Sequence, residues 1–187
     1  PGGQPVPSHV VQKAHAAHAI ELENWSLLSL QQRLMAGALG LPFMPTRSVL
    51  GSDMAVDNAA SFRELADPFG SGQRVGAVQA LVPDLSIVHG CIADADGNTV
   101  LACPTGEDLW GALASRDGVI VTVERILPAA RLRRHAPLVR IPAHRVRAVC
   151  EVPFGLHPFS LPNPGIAGFT PYEQDNAFLA DPLAQPG

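Results

Sequence analysis

Two residues with chemically useful side chains follow one short apolar segment, Val146–Cys150. Glu151 follows this segment directly, and His157 lies a few residues further on, within Pro153–Pro158. The segment contains β-branched valines and is long enough for a strand but too short for a helix. The prolines that follow lack a backbone donor, so neither a strand nor a helix can continue through them. We therefore expect a buried strand to deliver a carboxylate and an imidazole to a stiff loop, where ligands bind in open α/β sheets.

A carboxylate at the end of a strand can act as a base or accept an acyl group. Glu124, in the β-branched segment Val119–Ile126, occupies such a position, as Glu151 does. The alternative for each is a charge held by a nearby arginine, such as Arg125 or Arg147. For Glu124 we favour this structural role, and for Glu151 both roles remain open.

Six of the twelve arginines lie between residues 131 and 147. Guanidinium groups pair with phosphate through two hydrogen bonds, so this segment could hold the phosphates of an anionic ligand such as a coenzyme. Arginines on a solvated surface or at an interface between chains explain the same pattern. The histidines at positions 15 and 18 share a helix face, but no further ligand lies at suitable spacing on that helix, so we predict no metal site.

Helical and strand-like segments alternate along the chain, which predicts an α/β domain with a mostly parallel sheet flanked by helices and containing one hairpin. The turn Asp94–Gly97 marks that hairpin. Two prolines make Leu41–Asp53 a rigid apolar loop in this prediction. The predicted helices are His9–Ala19, Trp25–Leu39 and Glu107–Arg116, and the predicted strands are Ile20–Glu23, Arg74–Leu81, Asp84–Ile92, Asn98–Ala102, Val119–Ile126 and Val146–Glu151.

Composition limits the function further. With 187 residues and 47% hydrophobic content, the chain fits a single domain, 1–187, with loop-rich segments at 1–7 and 159–187. The net charge of −4 gives no indication of the excess positive charge that nucleic-acid-binding proteins carry. No apolar run approaches the ~20 residues of a membrane span, and no signal peptide is visible, so we expect a soluble protein. Three widely spaced cysteines predict reduced thiols and a cytoplasmic location.

Several motifs in order resemble the A (alpha) subunit of the family I CoA-transferases, in particular the glutaconate CoA-transferase branch. The resemblance covers about residues 20 to 178 and rests on Gly40–Asp53, Pro83–His89 with Ala93–Asn98, Val121–Ile126, Ile141–Pro142 with Ala148–Pro158, and Tyr172–Asp175.

This resemblance implies a CoA-transferase/NagB-RpiA-like α/β fold and an enzyme that moves coenzyme A between carboxylic acids. It implies a B subunit of similar fold as partner, commonly in an (AB)2 assembly, with coenzyme A as substrate and no permanently bound cofactor. The nucleophilic glutamate of this branch belongs to the B subunit, so the resemblance places no catalytic nucleophile in this chain. The A subunits of the family also begin with further βα units and continue into a C-terminal helical segment, which implies that this chain is incomplete at both ends.

Within this chain we expect Arg47, Ser52, Glu151 and His157 to line or support the substrate pocket, because they lie on the two proline-containing loops. Two alternatives remain. The family contains relatives that decarboxylate an acyl-CoA or cleave a C–C bond by hydrolysis, so the chain could serve a decarboxylase, a lyase or a hydrolase. It could also be a non-catalytic partner that stabilises another subunit.

Overall fold

The computed structural model describes residues 9–180, which form two sheets joined by a pair of helices. The predicted loop-rich segment 1–7 and the last part of 159–187 lie outside these residues. The helices are α1 His9–Ala16, α2 Leu27–Ala38, α3 Asp53–Asp57, α4 Glu107–Ala114, α5 Ala129–Leu132 and α6 Asn176–Ala180. The strands are β1 Phe43–Thr46, β2 Phe62–Ala66, β3 Arg74–Gln79, β4 Ser86–Asp94, β5 Thr99–Val100, β6 Val119–Leu127, β7 Val139–Ile141 and β8 Val146–Glu151.

The three-stranded sheet has the order β1-β3-β2, and both of its strand pairs are antiparallel. The prediction of a loop over Leu41–Asp53 is wrong for its first part, which forms β1. Pro45 lies opposite Ala77 in this strand, and it is tolerated there because β1 is an edge strand with hydrogen bonds on one side only. The prolines therefore indicated an edge strand and not a loop.

Strand β2 was missed, and the strand predicted at Ile20–Glu23 does not form. The segment 62–66 carries almost no hydrophobic alternation, because only Phe62 is buried and the residues after it are exposed. Gly76 on β3 makes room for the Phe62 ring: a Cβ added at this glycine would lie 2.6 Å from Phe62 Cε2. Strand β2 is held by its pairing with β3 and by this one buried aromatic residue, a pattern that hydrophobic periodicity does not detect.

The five-stranded sheet has the order β7-β5-β4-β6-β8. Strands β4, β6 and β8 are parallel, whereas β5 and β7 are antiparallel to their neighbours. The predicted hairpin is confirmed, because the chain turns from β4 into β5 through Asp94–Gly97, with Gly97 at φ +100°. The α/β class is also confirmed, but the sheets are more mixed than the mostly parallel sheet that we expected. The short connections from β4 to β5 and from β2 to β3 permit only antiparallel pairing, whereas β1 and β7 reach their antiparallel partners through much longer connections.

Strand β8 forms where we predicted it, but it is not buried. It lies at the edge of the sheet and pairs only with β6, and four of its six residues are exposed. The apolar run at 146–150 gave no information on strand order, and an outer strand needs to bury only part of one face. By contrast β6 is central, with Val119, Val121 and Val123 fully buried.

Two apolar cores hold the larger sheet. The first packs α4, through Ala112 and Leu109, against β4 and β6. The second packs Leu132 of α5 and Ile166 against β4 and β5. Helix α2, predicted over Trp25–Leu39, is confirmed; it contacts α4 on one side and β1 and β3 on the other, and so it joins the two sheets.

In the described part of the chain, no helix is long and apolar enough to cross a membrane.

Candidate functional site

A cleft of about 760 Å³ lies toward the carboxyl ends of the parallel strands β6 and β8. This is the position where ligands bind in α/β sheets. Both strand-end carboxylates, Glu124 and Glu151, line it. The basic side chains in its wall are Arg125, Arg131, Arg134 and His135, and the aromatic ones are Phe154, Phe169 and Tyr172.

Glu124 is the centre of a hydrogen-bond network at the base of the cleft. Its Oε1 atom lies 2.8 Å from His89 Nε2 and accepts the hydroxyl of Tyr172, also at 2.8 Å. Its Oε2 atom accepts the backbone N–H of Phe154 at 2.8 Å. Only 13% of the Glu124 side chain is exposed, so these bonds replace most of its contact with water.

The network fixes the charge state of Glu124. Burial opposes ionisation, but the Phe154 N–H and the bonds from His89 and Tyr172 outweigh it, so the pKa of Glu124 lies below its ordinary value. The same network raises the pKa of Tyr172 to about 12, first through burial and then through the adjacent carboxylate.

The tautomer of His89 follows from its two hydrogen-bond partners. The carboxylate of Glu124 can only accept, so Nε2 of His89 carries the proton in this bond. In the neutral imidazole, Nδ1 then accepts the hydroxyl of Thr122 at 2.8 Å. Because His89 and Thr122 are register partners on adjacent parallel strands, the sheet itself holds the ring in place.

The loop after β8 lies directly on this network. A Cβ added at Gly155 would lie 2.3 Å from His89 Cε1, so only glycine fits against the ring. Phe154 adopts φ +59°, a conformation that is unfavourable for a residue with a side chain. Its N–H bond to Glu124 and its ring contact with Tyr172, 5.1 Å between centroids, hold it there. The leucine that follows Gly155 donates its N–H to the Tyr172 hydroxyl at 3.2 Å.

Neither cleft carboxylate pairs with an arginine within residues 9–180. The structural role that we favoured for Glu124 was predicted with the wrong partner, since His89, Tyr172 and a backbone N–H take the place of Arg125 or Arg147. Glu151 is exposed, and its Oε2 atom accepts the N–H of Ile126 at 2.6 Å. Both carboxylates are therefore engaged as hydrogen-bond acceptors.

The structure does not bring the four predicted pocket residues into one site. Of these, Glu151 alone lines the cleft. Arg47 is exposed beyond β1 and donates to Gln73 Oε1 at 3.2 Å, and Ser52 precedes α3 and donates to the Val49 carbonyl at 2.6 Å.

His157 is exposed as well and lies in the loop after β8. Its Nε2 atom is 3.2 Å from Asp175 Oδ2, and its ring contacts Phe178 edge-on. The N–H of Phe178 and the bond to His157 lower the pKa of Asp175. This pair fastens the start of α6 to the loop.

Sequence reasoning missed His89 and Tyr172 as site residues, although both lie in motifs that carry the resemblance. A signal exists for the first: His89 and Thr122 each belong to a predicted strand, and a polar side chain that is buried in a sheet needs a partner. Pairing the two required the register of β4 with β6, which the sequence does not specify.

The described residues contain no group of three or more histidine, cysteine, aspartate or glutamate side chains that could hold a metal ion.

The chain is similar to enzymes that act with coenzyme A. It is 34% identical to the A subunit of 3-oxoadipate CoA-transferase from Pseudomonas knackmussii over 90% of this chain and 56% of that protein. It is 29% identical to the A subunit of glutaconate CoA-transferase from Acidaminococcus fermentans over 90% of this chain and 54% of that protein.

Two solved structures of enzymes also resemble the fold of this chain. The glutaconate coenzyme A-transferase of Acidaminococcus fermentans superposes with a TM-score of 0.74 at 27% identity, over 90% of this chain and 55% of that one. The decarboxylase AibA/AibB superposes with a TM-score of 0.69 at 29% identity, over 91% of this chain and 58% of that one. The chain thus spans just over half the length of these relatives. The sequence model of the coenzyme A transferase family matches residues 2–151, and the chain therefore belongs to this family.

Proposed function

We propose that this chain is the A subunit of a heteromeric CoA-transferase that moves coenzyme A between carboxylic acids. A B subunit supplies the nucleophilic glutamate, and the two subunits assemble as (AB)2 in the cytoplasm. Coenzyme A is a substrate in this proposal and not a permanently bound cofactor. The acyl group is short or dicarboxylic, since the two CoA-transferase relatives are named for the dicarboxylic acids 3-oxoadipate and glutaconate.

The observation that carries this proposal is the similarity to the A subunits of two CoA-transferases over nine tenths of the chain. The cleft supports it in a second way. A carboxylate that attacks a thioester needs an accessible oxygen, and both oxygens of the nearly buried Glu124 already accept hydrogen bonds, while Oε2 of Glu151 accepts the N–H of Ile126. This arrangement suits binding and orientation, with the nucleophile supplied in trans.

The transfer then runs in two stages on the partner's glutamate. Its carboxylate attacks the acyl-CoA thioester, and the C–S bond breaks to give a mixed anhydride and the thiolate of coenzyme A. The thiolate attacks the glutamyl carbonyl and releases the first carboxylic acid, which leaves coenzyme A bound as a glutamyl thioester. The second acid reverses these steps and leaves as the new acyl-CoA.

In this scheme the present chain shapes the acyl pocket. Glu151 orients substrate from the cleft wall, and we keep Arg47, Ser52 and His157 as predicted binding residues of the assembled enzyme. Single alanine substitutions in the AB complex test each one. A binding role predicts a raised KM, whereas turnover that stays unchanged for both Glu151→Ala and His157→Ala favours a purely stabilising role for this chain.

The decisive experiment is co-expression with a B-type subunit, incubation with dicarboxylic and monocarboxylic acyl-CoAs, and mass spectrometry of the complex. A coenzyme A adduct on a glutamate of the B subunit, removable by hydroxylamine, is the expected result. A complex that forms but carries no adduct contradicts the transferase mechanism.

A decarboxylase, lyase or hydrolase is the second candidate, because the decarboxylase AibA/AibB superposes nearly as well as the glutaconate enzyme. The same incubation separates the two functions. Release of carbon dioxide or of a shortened acyl-CoA, without an adduct, supports the second candidate. The identity of the B-subunit residue at the glutamate position provides an independent check.

A further inference from the structure

Four arginines of the segment 131–147 form two pairs with different roles: one pair binds backbone carbonyls, and the other lines the cleft. Arg145 donates to the carbonyls of Leu113 and Ser115, and Arg147 donates to the carbonyl of Asp117. These two arginines therefore satisfy carbonyl groups at and beyond the end of α4, where a helix leaves acceptors without internal partners.

Arg131 and Arg134 belong to the other part. They are three residues apart on the helical segment that begins with α5, so they project from the same face, and both line the cleft. The intervening Leu132 is 2% exposed and anchors this segment in the second core. The two guanidinium groups are thus presented to the cleft by a firmly packed turn.

Both guanidinium groups are free to bind a ligand. Within residues 9–180, neither Arg131 nor Arg134 has a carboxylate within 4.0 Å or any side-chain hydrogen bond, and the same holds for Arg125 across the cleft. The carboxylates in the lining have other partners, because both oxygens of Glu124 and Oε2 of Glu151 accept hydrogen bonds from elsewhere. Three guanidinium groups against two carboxylates leave an excess of positive charge in the cleft wall.

We propose that Arg131 and Arg134 form an oxyanion-binding rim that holds a charged group of the substrate. This inference rests on the proposed function. A guanidinium fork matches the geometry of a carboxylate or a phosphate, and two forks on one face can hold one such group between them. The group comes from one of two sources: the distal carboxylate of a dicarboxylic acyl chain, or a phosphate of coenzyme A. The aromatic side chains of the same cleft, Phe154 and Phe169, then pack against the uncharged part of the ligand.

The test is calorimetric titration of the full chain at low ionic strength with four probes: coenzyme A, dephospho-coenzyme A, adipate and the neutral hexanamide. The variants are Arg131→Gln, Arg134→Gln and the double variant. Arg133→Gln is the matched control, because this arginine is exposed in the same turn and does not line the cleft. Thermal melts of all variants establish that they are folded, and if the double variant does not fold, the single variants carry the test.

We expect each glutamine to weaken binding of the charged probe about tenfold, with Arg133→Gln at the wild-type value. If the rim holds the 3′-phosphate, the wild type binds coenzyme A more tightly than the dephospho form, and the variants lose that difference; if it holds the diphosphate, the variants bind both forms more weakly. If it holds a carboxylate, the variants bind adipate more weakly while binding of the neutral hexanamide is unaffected.

Equal binding of all probes by wild type and double variant overturns the rim, as does a wild type that binds neither coenzyme A nor adipate. The rim and the transfer reaction fail separately. An adduct on the B subunit together with unchanged probe binding in the double variant refutes the rim alone, and weakened probe binding without any adduct refutes the transfer alone.

Discussion

Replacing Tyr172 by phenylalanine removes one hydroxyl that joins three segments of the cleft. This hydroxyl donates to Glu124 Oε1 at 2.8 Å and accepts the N–H of Leu156 at 3.2 Å. A hydrogen bond to a charged group contributes about 1.5–3 kcal/mol, and a half-buried amide left without an acceptor costs about 1 kcal/mol more. Partial access of water reduces both, so we expect the variant to lose about 2 kcal/mol, concentrated in residues 152–158.

The assay is amide hydrogen exchange of the loop combined with chemical denaturation. A local loss of about 2 kcal/mol corresponds to roughly thirtyfold faster exchange at Phe154 and Leu156. Ser160→Ala is the matched control: its hydroxyl is exposed and has no side-chain hydrogen bond within the described chain. Exchange in Tyr172→Phe that matches this control would refute the proposed network.

The same loop should be sensitive to acid, with a sign fixed by Glu124. Its pKa is lower in the folded chain than its ordinary value of 4.5. Ionised Glu124 therefore stabilises the fold fully above pH 4.5, and this contribution is lost as the pH falls through the lower folded value. Loop protection in the wild type should decline over this acid range, and Glu124→Gln should remove the decline. A wild-type loop whose protection is constant across that range contradicts this assignment.

Three further results follow from burial and close contact. Tyr172 is the single tyrosine of the chain, so absorbance at 295 nm should report its ionisation with a pKa of about 12 instead of the ordinary value of 10. Because the pKa of Tyr172 is higher in the folded chain, its contribution to stability is complete below pH 10 and is lost as the pH rises through 12. Gly155→Ala should lower the free energy of unfolding by about 1–3 kcal/mol, because the added methyl group would contact His89. Gly111→Ala is the helical control: it has no neighbour nearer than 3.6 Å and should raise the free energy of unfolding by about 0.5–1 kcal/mol in denaturant melts. Equal effects of the two substitutions would contradict the close packing of Gly155 on His89. Cys91 is buried with its pKa raised to about 12, so iodoacetamide at neutral pH should label the other two thiols only, and mass spectrometry showing three labels on the folded chain would be the opposite outcome.

Local sequence patterns predicted most helices and strands, but not which strands lie next to one another in the sheets. Helix α2 and the turn at Gly97 were predictable, because apolar spacing and a glycine at positive φ are local features. Strand β2 was not predicted because only one of its residues, Phe62, is buried, so it shows no hydrophobic alternation. The edge position of β8 depends on strand order, which no local pattern encodes.

The candidate site follows the same division. The sequence placed Glu151 at the end of a strand, and the structure has it there, in the wall of the candidate cleft. It assigned Glu124 a structural role but the wrong partner, since His89 and Tyr172 lie 35 and 48 residues away along the chain. Contacts over such separations depend on register and on the course of long loops, and neither was available from residue types alone.

The carboxylate of Glu124 also determines when the cleft can form during synthesis. It bonds to an amide 30 residues later and to a hydroxyl 48 residues later. Contacts this distant along the chain incur the entropy of closing a long loop before they contribute stability, so they form after the local elements. A ribosome releases the chain from its N-terminus, and until Tyr172 has emerged, Glu124 lacks one of its partners. The β4–β6 pairs, which are 33 residues apart, can form once β6 has emerged, whereas the cleft is completed only after Tyr172 has emerged.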